Sequence, residues 1–150
     1  MIYTWDRAKV GDTSPPTAAE ITDQQIADYC RAARYENLVY TNQPAARETG
    51  LPGIIAPPAM VLAFAPPRPA SLAAAQGCAL PEGLSLNPVG ITIRFQGVLV
   101  THGDIITAQT TLAGKEEGEG GRCLTFTIRA HNQEGVLVAE YDVEYLWEAI

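Results

Sequence analysis

Leu51-Pro52-Gly53-Ile54-Ile55-Ala56-Pro57-Pro58-Ala59-Met60-Val61-Leu62-Ala63-Phe64 is the stretch on which the fold turns. Pro52-Gly53 is a turn pair that leads into an apolar run, and two prolines interrupt that run. Proline is tolerated in the first turn of a helix, because the first N–H groups have no partner within the helix. The reading is a helix from about Pro58 to Ala65, ended by Pro66, Pro67 and Pro69. Every side of it is apolar, which predicts a helix enclosed by other elements rather than one lying on a surface.

Upstream, Thr22-Asp23-Gln24-Gln25 spells a capping box, with Thr at the N-cap and Gln three residues later. Ile26, Tyr29, Cys30 and Ala33 then recur at helical spacing and mark one buried face. A second, short helix is expected over Gln43–Thr49, with Asn42 as N-cap, Pro44 in the first turn and Gly50 as the stop. Residues 66–88 read as a long loop with one helical turn through Ser71–Gln76.

Downstream, the texture changes from Ala- and Pro-rich to alternating. Val89–Val100, Asp104–Leu112, Cys123–His131 and Val136–Trp147 read as four strands of an antiparallel meander. Gly114–Gly121, charged and Gly-rich, is expected to be an exposed, mobile hairpin loop. Asn132-Gln133-Glu134-Gly135 is a tight-hairpin signal. Helices gathered on one side of an antiparallel sheet define an α+β fold.

The chain has 150 residues, which the length prior assigns to one domain over 1–150. Its apolar content of 47% is ample for a core without a metal or disulfide staple. Ten basic against seventeen acidic residues give a net charge of −7. That sign disfavours nucleic acid and anionic membranes as partners. No apolar run is long enough for a membrane span, and Met1–Val10 lacks the apolar core of a secretion signal. Cys30, Cys78 and Cys123 are odd in number and far apart, with no Cys/His cluster, so neither a metal site nor a disulfide framework is expected. The thiols suit a reducing cytoplasm.

These residues carry a resemblance. Val10-Gly11-Asp12, Tyr29–Asn42, Ala45–Met60, Gly103-Asp104 and Asn132-Gln133-Glu134-Gly135 resemble the MaoC-like hydratases and dehydratases, and more closely their fatty-acid-synthase-type dehydratase domains. The most specific part is Ile54-Ile55-Ala56-Pro57-Pro58, downstream of Ala45-Ala46-Arg47-Glu48-Thr49-Gly50. The resemblance implies a hotdog fold, in which an antiparallel sheet wraps one central apolar helix. It implies acyl thioesters of coenzyme A or acyl carrier protein as substrates, water addition to a trans-2-enoyl thioester or its reversal, no separate cofactor, and pairing of hotdog domains into a homodimer or heterodimer.

The family motif is Asp-x-Asn-Pro-x-His, often followed by a further Asp. Aligned to it, Tyr35 stands at the Asp and Tyr40 at the His, Asn37 matches, and Asn42 stands at the trailing Asp. Hydration needs a group that accepts a proton from water near neutral pH. A phenol, with an ordinary pKa of about 10, is a poor acceptor there but a good hydrogen-bond donor. The candidate catalytic set is therefore Glu36 as displaced base, Asn37 to hold water or the thioester, and Tyr40 as acid or carbonyl-orienting donor. Tyr35 is a pocket-lining candidate. The backbone N–H groups of Ala59 and Met60 are candidate donors to the thioester oxygen at the helix start. Each has a plainer reading: a space-filling Tyr40, a solvated Glu36, a Tyr35 packed under the first helix, an Asn37 capping its own backbone, and a proline-started core helix with no ligand. His102 and His131 read as turn or surface residues, Cys78 as inert, and Arg94 as a solvated residue before a coenzyme-phosphate ligand.

Two functions follow. One is an enoyl-thioester hydratase or dehydratase with a remodelled site. The other is a non-catalytic hotdog subunit that shapes the acyl tunnel and pairs with a catalytic hotdog chain. A thioesterase is a third, weaker reading, with Glu36 its only carboxylate.

Overall fold

A computed structural model of the chain describes residues 1–148. Thr22 opens helix α1 (Asp23–Ala33) as expected: its hydroxyl accepts from the Gln25 N–H, and the Gln25 side chain reaches back to the Thr22 N–H. Ile26 and Cys30 are the buried residues of its inner face. Helix α2 (Gln43–Glu48) starts where the Asn42 side chain accepts from the Ala45 N–H.

The proline-started segment forms a 3-10 turn (Pro58–Met60) that runs into a short helix, α3 (Val61–Phe64). Met60, Val61 and Ala65 are buried, but Pro58 and Ala63 are exposed. The helix therefore has a covered face and an open face, and is not enclosed on all sides. An alanine methyl at the open position costs little to expose, so an apolar sequence did not require full burial. Residues 66–88 are also more ordered than a loop. Helix α4 (Pro69–Ala75) starts on a proline and buries Pro69, Leu72 and Ala73.

The sheet has five strands: β1 (Thr17–Glu20), β2 (Pro88–Phe95), β3 (Ile105–Gly118), β4 (Gly121–His131) and β5 (Leu137–Glu148), in the order β1-β3-β4-β5-β2 with every pair antiparallel. Only β3-β4-β5 is a meander. β2 pairs with β5 and not with β3, so residues 96–104 cross over, and β2 stops at Phe95 rather than Val100. The expected loop Gly114–Gly121 is mostly ladder: Lys115 pairs with Leu124, Glu116 with Cys123 and Glu117 with Arg122, leaving Glu119 and Gly120 at the tip. In the other hairpin, the Asn132 side chain accepts from the Glu134 and Val136 N–H groups, and Gly135 takes the positive φ of 76° that the turn demands.

The core lies between the inner face of the sheet and the helical segments. Ile106, Leu112, Leu124, Phe126, Ile128, Tyr141, Val143, Tyr145 and Trp147 are among its buried side chains. Two bonds dock the helical layer. The Tyr141 hydroxyl donates to the Ala65 carbonyl at 2.6 Å, and the Arg68 N–H donates to the Thr110 hydroxyl at 3.0 Å. Burial raises the pKa of Tyr141 above the ordinary tyrosine range, which keeps that donor protonated. Among the described residues, no helix is long and apolar enough to cross a membrane.

Candidate functional site

Helix α1 ends at Arg34, whose φ of 57° turns the chain sharply toward Tyr35. Asn37 then caps a 3-10 turn over Leu38–Tyr40, its side chain accepting from the Val39 N–H at 3.1 Å. The Ile55 N–H donates to the Val39 carbonyl, which ties this turn to the strand-like residues before the double proline. Gln43 braces the same loop, accepting from the Ile54 N–H at 2.9 Å and donating to Asp23 at 3.0 Å. On the far side, the Ala56 N–H donates to the Val100 carbonyl at 2.8 Å. Together these bonds bring Tyr40 to the start of the proline-led helix.

A cavity of about 180 Å³ lies there. Tyr40, Pro57, Val61, Phe64, Leu99 and Ala139 are among its walls. Among the described residues, no carboxylate, imidazole or basic side chain borders it, and Tyr40 is the one titratable group on its wall. The space suits an apolar chain, with one phenol available to orient a polar group at the helix end.

The other candidates fall differently. Tyr35 does not border the cavity but packs edge-on against Tyr40, with ring centroids 5.6 Å apart, and stacks on Tyr29 at 6.1 Å. It supports the wall from behind. Glu36 is exposed and outside the lining. Asn37 spends its side-chain oxygen on the cap. The Met60 N–H is likewise spent, donating to the Pro57 carbonyl at 2.9 Å, and neither Ala59 nor Met60 borders the cavity. The wall at that point is Pro57, Pro58 and Val61.

The remaining polar candidates are structural. His102 is exposed and its Nδ1 accepts the Asp23 N–H at 3.0 Å, capping α1. Arg94 forks onto Glu140 and Asp142 on the outer face of the sheet, with contacts from 2.8 to 3.1 Å. It is neutralised there and does not offer a free cation for a coenzyme phosphate. Among the described residues, no group of three His, Cys, Asp or Glu side chains could hold a metal ion. Phe64, Phe95, Leu99 and Ala139, all on the cavity wall, are among the residues that sequence reasoning missed. Nothing local marks them, because their roles come from distant segments meeting.

The fold is the hotdog fold, which solved structures of low sequence identity share. The chain matches the monoamine oxidase regulatory protein from Archaeoglobus fulgius with a TM-score of 0.81 at 19% identity, over 98% of this chain and 95% of that one. It matches the R-hydratase PhaJ1 from Pseudomonas aeruginosa with a TM-score of 0.71 at 19% identity, over 98% and 86%. It matches the HadBC 3R-hydroxyacyl-ACP dehydratase complex from Mycobacterium tuberculosis with a TM-score of 0.73 at 20% identity, over 92% and 97%. Comparison with curated proteins finds no match. The chain belongs to the family described as FAS1-like, dehydratase domain region, whose profile matches residues 8–141.

Proposed function

We propose that this chain, as one hotdog domain over residues 1–150, is the acyl-binding member of a two-chain enoyl-thioester hydratase or dehydratase. A second hotdog chain supplies the proton acceptor. The observation that carries this is the apolar cavity at the helix start, where Tyr40 is the one titratable wall residue among the described residues. Such a site can hold an acyl tail, and the phenol can orient a thioester carbonyl, but it has no ordinary base to deprotonate water.

The sheet supports pairing. β2 is an edge strand, and Ile91 and Phe95 on its helix-facing side are exposed, Phe95 at 52%. A bare apolar edge of this kind invites a second strand. HadBC, similar in fold, is itself a complex. The free thiols of Cys30, Cys78 and Cys123 suit a cytoplasmic location.

The test is co-expression with a neighbouring gene for a hotdog chain that carries the intact Asp-x-Asn-Pro-x-His motif. The two are expected to purify together and to hydrate trans-2-enoyl thioesters, while this chain alone does not. A stable homodimer that hydrates such substrates unaided would overturn the proposal. That outcome would favour the second reading, in which Tyr40, already on the wall, acts with Glu36 as a displaced base, and Glu36→Gln would then abolish the activity.

A further inference from the structure

A second cavity, of about 60 Å³, lies at the break after α3, with Thr17, Ala19, Ala65, Ala108 and Thr110 among its walls. Phe64 is the one side chain that borders both cavities. Beneath it the sheet is floored with the smallest side chains that a strand can carry apart from glycine. Ala139 of β5 walls the larger cavity and Ala108 of β3 the smaller, and Ala130 of β4 pairs with both. The three share the helix-facing side, since Tyr141, Ile128 and Ile106, two residues along each strand, are buried core. Two strand spacings separate the ends of this row, about 10 Å.

The backbone around Phe64 is held. Ala65 is bonded by Tyr141, Arg68 is bonded by Thr110, and Pro66 and Pro67 have fixed φ between them. The freedom left at the junction is rotation of the Phe64 ring, which is only partly buried.

We propose that Phe64 sets the length of acyl chain that this protein accepts. With the ring in its present place, an acyl tail ends in the larger cavity. With the ring turned aside or removed, the tail continues over Ala139, Ala130 and Ala108 into the smaller one. This inference rests on the acyl-binding reading above and adds the residue that selects among substrates.

The experiment measures binding of saturated acyl-pantetheine thioesters, from butyryl to palmitoyl, to the full chain by calorimetry. The pantetheine arm is common to both thioester carriers. The wild type is expected to show an optimum length beyond which affinity no longer rises. Phe64→Ala moves that optimum to longer chains, with roughly fourfold tighter binding for each further methylene buried. Adding Ala108→Leu to Phe64→Ala refills the smaller cavity and brings the optimum back. Phe64→Leu, a milder loss of volume, gives an intermediate optimum and serves if the alanine variant does not fold. An unchanged optimum in folded Phe64 variants overturns the gate while leaving the acyl-binding reading intact. A wild type that binds no thioester of any length overturns both.

Discussion

The inner face of the sheet changes character from one end of its strands to the other. At one end, Phe126, Tyr145, Trp147 and Tyr3 form an aromatic cluster with ring centroids 5.8 to 6.1 Å apart, each at most 4% exposed. The Trp147 indole N–H donates to the Tyr3 carbonyl at 3.0 Å, so its one polar atom is satisfied. At the other end, the same strands carry Ala139, Ala130 and Ala108, and two cavities remain between sheet and helix. β4 reads Leu124, Phe126, Ile128, Ala130 along its inner side, so the change from bulky to small comes at its last inner residue. The filled end holds the fold together, and the thinned end leaves room for a ligand.

The sharpest break of this contrast is Phe126→Ala. It should cost about 3–5 kcal/mol of unfolding free energy, read by chemical denaturation, while leaving the chain-length preference of whatever folded protein remains unchanged. A smaller loss, about 1–3 kcal/mol, is expected for Tyr141→Phe, which strands the buried Ala65 carbonyl. Thermal unfolding would register it.

At the thinned end the effect should appear in binding instead. Ala139→Leu pushes into the 180 Å³ cavity and should weaken acyl-thioester binding about tenfold, with a smaller change in stability because the space is already there. Equal losses at both ends would erase the distinction between a structural and a ligand-binding half.

The smallest effect is expected on the outer face. Hydrogen bonds from Arg94, and then from Thr127, hold the Asp142 carboxyl below its ordinary value near 3.8. The folded value being the lower one, the stabilisation is complete above that ordinary value and is lost as pH falls through the depressed one. Asp142→Asn should flatten this acid limb of the stability curve and cost less than about 1 kcal/mol at neutral pH.

The parts of this molecule that were legible beforehand are those decided by neighbours in sequence. Thr22 and Gln25, Asn42 and Ala45, and the Asn132 turn each specify a cap or a bend within four residues. Local composition misleads where tertiary pairing overrides it. Lys115, Glu116 and Glu117 look like a loop, yet they extend a hairpin, with Glu116 and Glu117 exposed and the Lys115 ammonium held by the Trp5 and Ala8 carbonyls. Thr17–Glu20 is too short to announce itself and is a strand only because β3 is there to pair with it. The site divides the same way. Tyr40 stands at a position of the local motif and lines the cavity, but the alanine floor joins residues 108, 130 and 139, which no local pattern connects. Met60 failed as a donor because the prolines before it start a 3-10 turn whose own carbonyl takes that N–H.

The uncovered border of β2 has a consequence for how the polypeptide must be made. Val89, Ile91 and Phe95 stand beside a strand with one flank of backbone groups unpaired, which is a template for any extended segment that drifts past. A high concentration of the chain without whatever caps that border would therefore favour strand-to-strand self-association. On the two-chain reading proposed above, matched production of the partners, with assembly soon after folding, is the safeguard that this geometry would call for.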